Sequence, residues 1–240
     1  MVIEQAKIIK RDVAEAFEVV RNHKHGLAGR LAIGATSTIS PYLIPLMLKS
    51  FNKKYPKVEL AVSELSTPGC LDHLEREKID VAIMATEEDG RFFIQEKLYE
   101  EELLVFTDPS NELLKKGKIF VSDIAIDDIW LLEDGHCLSD EVIRLCKLRM
   151  DLPNLPGNLD FKIGSLESLR LLVQENSGYT LLPYLSTLKL NPKEKKCLRR
   201  FSGKQPKRSI FLTTSKGNLK EAAIKALKSE ILLCSEKYIV

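Results

Sequence analysis

The stretch Glu133-Asp134-Gly135-His136-Cys137-Leu138-Ser139-Asp140, followed by Cys146, gathers the most reactive side-chain types of this sequence in one place. A cysteine acts as a nucleophile through its thiolate, so its surroundings decide its reactivity. Cys137 stands just before a helix that Ser139 is suited to cap, and the positive end of a helix favours a thiolate. A protonated His136 would add to that effect, whereas ionised Glu133, Asp134 and Asp140 would oppose it. Metal ligation is a poorer use of these residues, because Cys137, Cys146 and His136 lack the paired short spacings of zinc sites. A catalytic Cys137–His136 pair is possible chemistry, but adjacent residues do not usually point at each other, and no Gly-rich nucleophile motif accompanies them.

The spacing of the two cysteines carries its own geometry. Nine helical residues rise ~13.5 Å and turn ~900°, which puts Cys137 and Cys146 on opposite faces. A disulfide needs Cα atoms about 5.5 Å apart, so a helical 138–146 segment would have to unwind before the two could bond. Two readings stand at this point: a thiol pair whose bonding is tied to unwinding, or two unrelated thiols, one in a loop and one on an apolar helix face.

Other candidate groups lie where a strand meets a helix. Thr36, Ser37, Thr38 and Ser40 precede Pro41, Ser66 and Thr67 precede Pro68, and Gly164 and Ser165 precede a helix from Leu166. A hydroxyl cap followed by proline is good helix-start chemistry on its own. At the carboxyl ends of parallel strands the same hydroxyls and amides also suit a small polar ligand.

The elements that position these groups follow from apolar periodicity. Val2, Ala6, Ile9, Val13, Ala16 and Val20 form an a/d seam, which predicts a helix over 1–25 that packs on its own domain or pairs with a partner chain. Beyond Arg30 the pattern predicts strands at 31–34, 58–62 and 79–84 alternating with helices at 41–55 and 68–77. A second block repeats it: strands at 130–132, 159–163 and 179–182, helices at 140–148 and 166–175. Such alternation implies parallel sheets. Residues 95–107 and 207–214 read as strands crossing between the two blocks, and 218–235 as a closing helix. The basic stretch 189–208, with nine Lys/Arg and one Glu, reads as a solvated loop or as a surface for anions or a partner.

Composition bounds the possibilities. The 240 residues hold 36 Lys+Arg and 34 Asp+Glu, a formal net charge of +2, too little for a free-standing nucleic-acid-binding module. The hydrophobic fraction of 44% and charged fraction of 29% are those of a globular protein. Apolar runs fall short of the ~18 residues of a membrane span, and no signal peptide is evident, so a cytoplasmic location is expected. Five cysteines in that compartment do not suggest a disulfide framework.

Five stretches together resemble the regulatory half of the LysR-type transcriptional regulators: Gly29–Gly34, Pro41–Pro45, Trp130–Cys146, Ser165–Arg170 and Gly178–Pro183. The run Leu132–Asp140 with a second cysteine nine residues after Cys137 is similar, more narrowly, to the peroxide-sensing members of that family. The resemblance implies an α/β fold of two periplasmic-binding-protein-like, Rossmann-type subdomains joined by two crossover strands. Residues 1–26 would be a linker and dimerisation helix, with the family's winged helix-turn-helix lying upstream. One subdomain would take 27–102 and 206–240, the other 103–205 with the redox cysteines. By the same resemblance, Cys137 is the peroxidatic and Cys146 the resolving cysteine of a disulfide switch, while Thr38, Thr67, His136, Asp140 and Arg208 contact hydrogen peroxide. No turnover catalysis, metal or cofactor is implied. The implied partners are a second or further copies of the chain (dimer or tetramer), promoter DNA and RNA polymerase through the full-length protein, and cellular thiols for reset. No membrane is involved. Two positions depart from the pattern: Ser139 stands where an arginine is common, and Asp160 where some members carry histidine. The rival readings are a family member that senses a metabolite near Thr38, Thr67 and Ser165, and a peroxidase-like enzyme.

Overall fold

A computed structural model describes residues 27–88, 90, 92–124, 128–133, 137–145 and 163–239, together with Val13. The expected helix over 1–26 lies outside the described residues, apart from the helical Val13. The chain forms two compact units. One holds the chain as far as Tyr99 and again from Phe211 to Tyr238, and the other runs from Glu100 to Ile210. Two long strands carry the chain from one unit to the other and back.

In the first unit, strand β1 (Gly29–Thr36) lies parallel between β2 (Val58–Leu65) and β3 (Val81–Met84), with registers Thr36↔Leu65 and Ala35↔Ile83. All four residues of β3 are buried, the continuous apolar run of a strand covered on both faces. Helix α1 (Ser40–Lys54) follows β1 and buries Leu43, Ile44, Met47 and Phe51, one stripe at helical spacing. Helix α2 (Thr67–Glu75) follows β2, capped by the Ser66 hydroxyl, which accepts a hydrogen bond from the Gly69 amide at 3.2 Å. Strand β4 (Phe93–Thr107) leaves this unit at Tyr99.

In the second unit, β4 pairs antiparallel with β5 (Tyr179–Pro183), from Leu103↔Pro183 to Thr107↔Tyr179. Helix α3 (Cys137–Leu145) and α4 (Leu166–Glu175) precede β5. Short helices α5 (Tyr184–Thr187) and α6 (Pro192–Lys195) and the two-residue strand β6 (Leu198–Arg199) follow, with β6 also antiparallel to β4. Strand β7 (Lys207–Ser215) returns to the first unit, where Ala82↔Thr213 sets it antiparallel to β3, and helix α7 (Glu221–Tyr238) closes the chain.

Three expectations change. Residues 130–132 are not a strand: Ile129 makes an isolated parallel bridge with Tyr179, and Trp130 and Glu133 donate their amides to the carbonyls of Tyr179 and Ile163. Those residues are buried to dock a turn of chain rather than to build a ladder, and the described ladders of the second unit are antiparallel. The helix expected at 140–148 already begins at Cys137, and residues 146–148 lie outside the described residues, as do 159–162 of the strand expected at 159–163. The 189–208 stretch is structured rather than a plain loop. It holds α6, whose Asn191 and Glu194 cap each other, and β6.

Helix α7 is bound to α1 by Glu230. Its carboxylate, 3% exposed, accepts hydrogen bonds from Ser50 Oγ at 2.6 Å and Lys54 Nζ at 2.5 Å. Burial by itself would raise the Glu230 pKa, but the Lys54 and Ser50 hydrogen bonds and the Lys54 charge outweigh it and hold the group below the usual glutamate range. A depressed folded-state pKa stabilises the fold above the unfolded value and loses that contribution as pH falls through the folded one. Denaturation midpoints should therefore drop as pH falls from about 5 toward 3, across the ordinary glutamate value of about 4.3. Glu230→Gln should be less stable near neutrality and lose less over that acid window.

Candidate functional site

Thr38 and Thr67 occupy the same end of the first unit's sheet. Thr38, 1% exposed, lies in the turn between β1 and α1, and Thr67 opens α2 one residue beyond the cap Ser66. The neighbouring strands β1 and β2 end together at Thr36↔Leu65, which brings both junctions to one edge. The hydroxyls of Thr36 and Thr67 are buried there without a hydrogen-bond partner among the described residues. A buried hydroxyl left unbonded costs on the order of 1–3 kcal/mol, so this edge is chemically suited to a small polar molecule that can satisfy it.

In the second unit, α3 begins at Cys137. Leu138 and Val142, one helical turn apart, are 2% and 1% exposed and face inward, while Asp140 is exposed. Ser139 does not cap the helix. It sits inside the first turn, and its buried hydroxyl donates to the Leu132 carbonyl at 2.8 Å, tying α3 to the chain before it. The position where an arginine is common is thus spent here on a structural bond. His136, Cys146 and Asp160 lie outside the described residues. Ser165 caps α4, accepting from the Ser168 amide at 3.1 Å.

Arg208 is 2% exposed and is held by a carboxylate that sequence reasoning missed. Its Nε and Nη2 donate to Glu101 Oε1 at 2.8 and 2.6 Å, and Glu101 Oε2 accepts from the Leu185 amide at 3.1 Å. Glu101 is itself 1% exposed. A signal for it was present: within Glu100-Glu101-Glu102, only Glu101 is in phase with the inward Tyr99, Leu103 and Val105 of β4.

A second missed centre supports the chain that leads to α3. Asp108, at the end of β4, accepts from Ser110, from Asn111 Nδ2 and from the Gly178 amide. Burial would raise its pKa, yet these hydrogen bonds together lower it. Gly178 has φ +100°, and a Cβ there would meet the Asp128 carbonyl at 2.5 Å and Trp130 Nε1 at 2.8 Å, so only glycine fits. Trp130, 1% exposed, donates from Nε1 to the Ser177 carbonyl at 2.9 Å, and its own carbonyl accepts from Thr180 Oγ1 at 2.8 Å. Among the described residues no cluster of His, Cys, Asp or Glu is placed to hold a metal ion, and no helix is long and apolar enough to cross a membrane.

This fold and these residues identify the class. The chain belongs to the LysR substrate-binding-domain family, whose pattern matches residues 24–232. It is 30% identical over 218 residues to a hydrogen peroxide-inducible genes activator of Pectobacterium carotovorum subsp. carotovorum, covering 91% of this chain and 71% of that protein. The crystal structure of an OxyR mutant from Porphyromonas gingivalis matches with a TM-score of 0.78 at 28% identity, over 88% of this chain and 97% of that one. The reduced and oxidised forms of OxyR each match with a TM-score of 0.74, at 26% and 27% identity, over 89% of this chain and 98% and 99% of theirs. The architecture is the periplasmic-binding-protein-like α/β fold of a family of transcriptional regulators.

The Glu101–Arg208 pair gives a direct stability test. Removing one partner of a buried ion pair strands the other charge and costs about 3–5 kcal/mol. Arg208→Met should lower the unfolding free energy by about that amount in urea titrations, and Arg208→Met with Glu101→Leu should recover most of the loss.

Proposed function

We propose that this chain is the redox-sensing regulatory domain of a LysR-type transcription activator that responds to hydrogen peroxide. The Cys137 thiolate attacks one peroxide oxygen, the O–O bond breaks, and hydroxide departs, leaving a sulfenic acid. The Cys146 thiol then attacks the sulfenic sulfur, forms the disulfide and releases water. Two thiols of a cellular reductant then reduce the disulfide by exchange, returning both cysteines to thiols and forming a disulfide of their own.

The observation that carries this reading is the helix from Cys137 to Leu145. Its axial rise separates the Cα atoms of those two residues by about 12 Å. Cys146 follows Leu145 by one peptide bond, at most ~3.8 Å further or nearer. The cysteine Cα atoms are then at least ~8 Å apart, beyond the ~6.8 Å limit of a disulfide. Oxidation therefore requires α3 to open, and a chemical event becomes a conformational one. The resemblance to the peroxide-inducible activator, and to structures of OxyR in two redox forms, supports the same conclusion.

By the family resemblance, Thr38, Thr67, His136, Asp140 and Arg208 are the residues we assign to contact with peroxide. Hydroxyls suit the two peroxide oxygens, and a guanidinium suits the charge that develops on the departing one. The domain works as a dimer or tetramer through the 1–26 helix, and its refolded segment changes that assembly on promoter DNA.

A second reading draws on the unsatisfied Thr36 and Thr67 hydroxyls: a small polar metabolite bound at the first unit's sheet edge. A ligand-induced rise in melting temperature that persists in Cys137→Ser would favour it.

Equimolar peroxide followed by thiol mapping by mass spectrometry tests the redox reading. Cys137 and Cys146 should be joined, while Cys70, Cys197 and Cys234 stay reduced. All three are buried, and burial is the main cause that pushes the Cys197 and Cys234 thiols up in pKa, away from the reactive thiolate. Oxidation of those three with Cys137 untouched would overturn the assignment.

A further inference from the structure

The 189–208 stretch carries nine Lys/Arg and one Glu in a chain whose formal net charge is only +2. The fold adds a second basic segment to it. Arg199 Nη2 donates to the Leu114 carbonyl at 2.9 Å, and the Ser202 amide donates to the Ile119 carbonyl at 2.6 Å. These bonds set the Lys115-Lys116-Gly117-Lys118 turn against β6 and the chain that follows it. The one carboxylate within these segments, Glu194, pairs with Arg170, and Glu112, Asp123 and Glu102 outside them pair with Lys115, Lys116 and Arg200. Lys118, Lys189, Lys193, Lys195, Lys196, Lys204 and Lys207 are all exposed, with no carboxylate partner among the described residues.

The division of labour between the two cation types indicates what this surface faces. Arg208 and Arg199 are spent within the protein, on Glu101 and on three backbone carbonyls, and the exposed Arg200 pairs with Glu102. The outward cations without a carboxylate partner among the described residues are lysines. Protein–protein interfaces are depleted in lysine and rely on aromatic and arginine anchors, and the described part of this surface offers one exposed aromatic, Phe120. A dense set of flexible point charges instead suits a regular polyanion, whose phosphates each release counterions on contact.

We propose that this lysine surface of the second unit is a sequence-independent contact for the phosphate backbone of duplex DNA. It is separate from the redox chemistry and does not depend on it.

Fluorescence anisotropy of the 240-residue chain with a labelled 20-base-pair duplex of arbitrary sequence tests this. Binding should appear at ~20–50 mM salt and weaken with a log–log salt slope of about −4, as for four or five phosphate contacts. The triple variant Lys193→Glu, Lys195→Glu, Lys196→Glu should bind at least about tenfold more weakly with an unchanged melting temperature, since those side chains make no hydrogen bond or ion pair among the described residues. Reversing the exposed Lys49 and Lys53 of the first unit should change binding far less. Absence of salt-dependent duplex binding, or full retention by the triple variant, would overturn the proposal. Equal affinity for poly-glutamate, or tighter binding of a single strand, would overturn the assignment to duplex DNA.

Discussion

A helix that begins at Cys137 and continues to Leu145 advances about 12 Å, whereas a disulfide joins Cα atoms less than about 7 Å apart. The proposed function rests on that incompatibility. A disulfide between residues in fixed, facing positions would be a staple. The disulfide proposed between Cys137 and Cys146 would instead compete with a folded helix, so that the redox state and the local fold would exclude each other.

The competition is set by how firmly α3 is docked. Leu138 and Val142 are buried, and Ser139 bonds the Leu132 carbonyl. Burying two such side chains contributes about 3–6 kcal/mol. For a two-electron couple, each ~1.4 kcal/mol that favours the reduced form raises the reduction potential by about 30 mV. A well-docked α3 would thus make the proposed disulfide more oxidising and easier for thiols to reduce. The chain before α3 is itself anchored: Gly178 admits Trp130 where any Cβ would collide, and Asp108 accepts from the Gly178 amide. Within β4, Glu101 is held by Arg208.

Much of this was legible in the residues. The first unit's strand–helix alternation reads directly from apolar periodicity, and the helix from Leu166 to Glu175 is announced by its Ser165 cap. The helix that carries Cys137 was legible from its apolar pattern, but it starts three residues earlier than that pattern suggests, and this start is what the proposed coupling to unwinding draws on. The apolar run at 130–132 misleads because burial by docking and burial by strand pairing leave the same pattern. Arg208 finds its partner across 107 positions of chain, and no local pattern encodes such a pairing, although the phase of β4 marks Glu101 as inward. The basic character of 189–208 was legible by itself, whereas the placing of the 115–118 segment beside it is a product of the fold.

The coupling of disulfide to helix is most directly tested by amide hydrogen exchange across α3, measured in the reduced protein and after equimolar peroxide. The amides of residues 141–145 should be protected in the reduced state, exchange rapidly once the disulfide forms, and regain protection on reduction. Unchanged protection in protein shown to carry the Cys137–Cys146 bond would contradict the account.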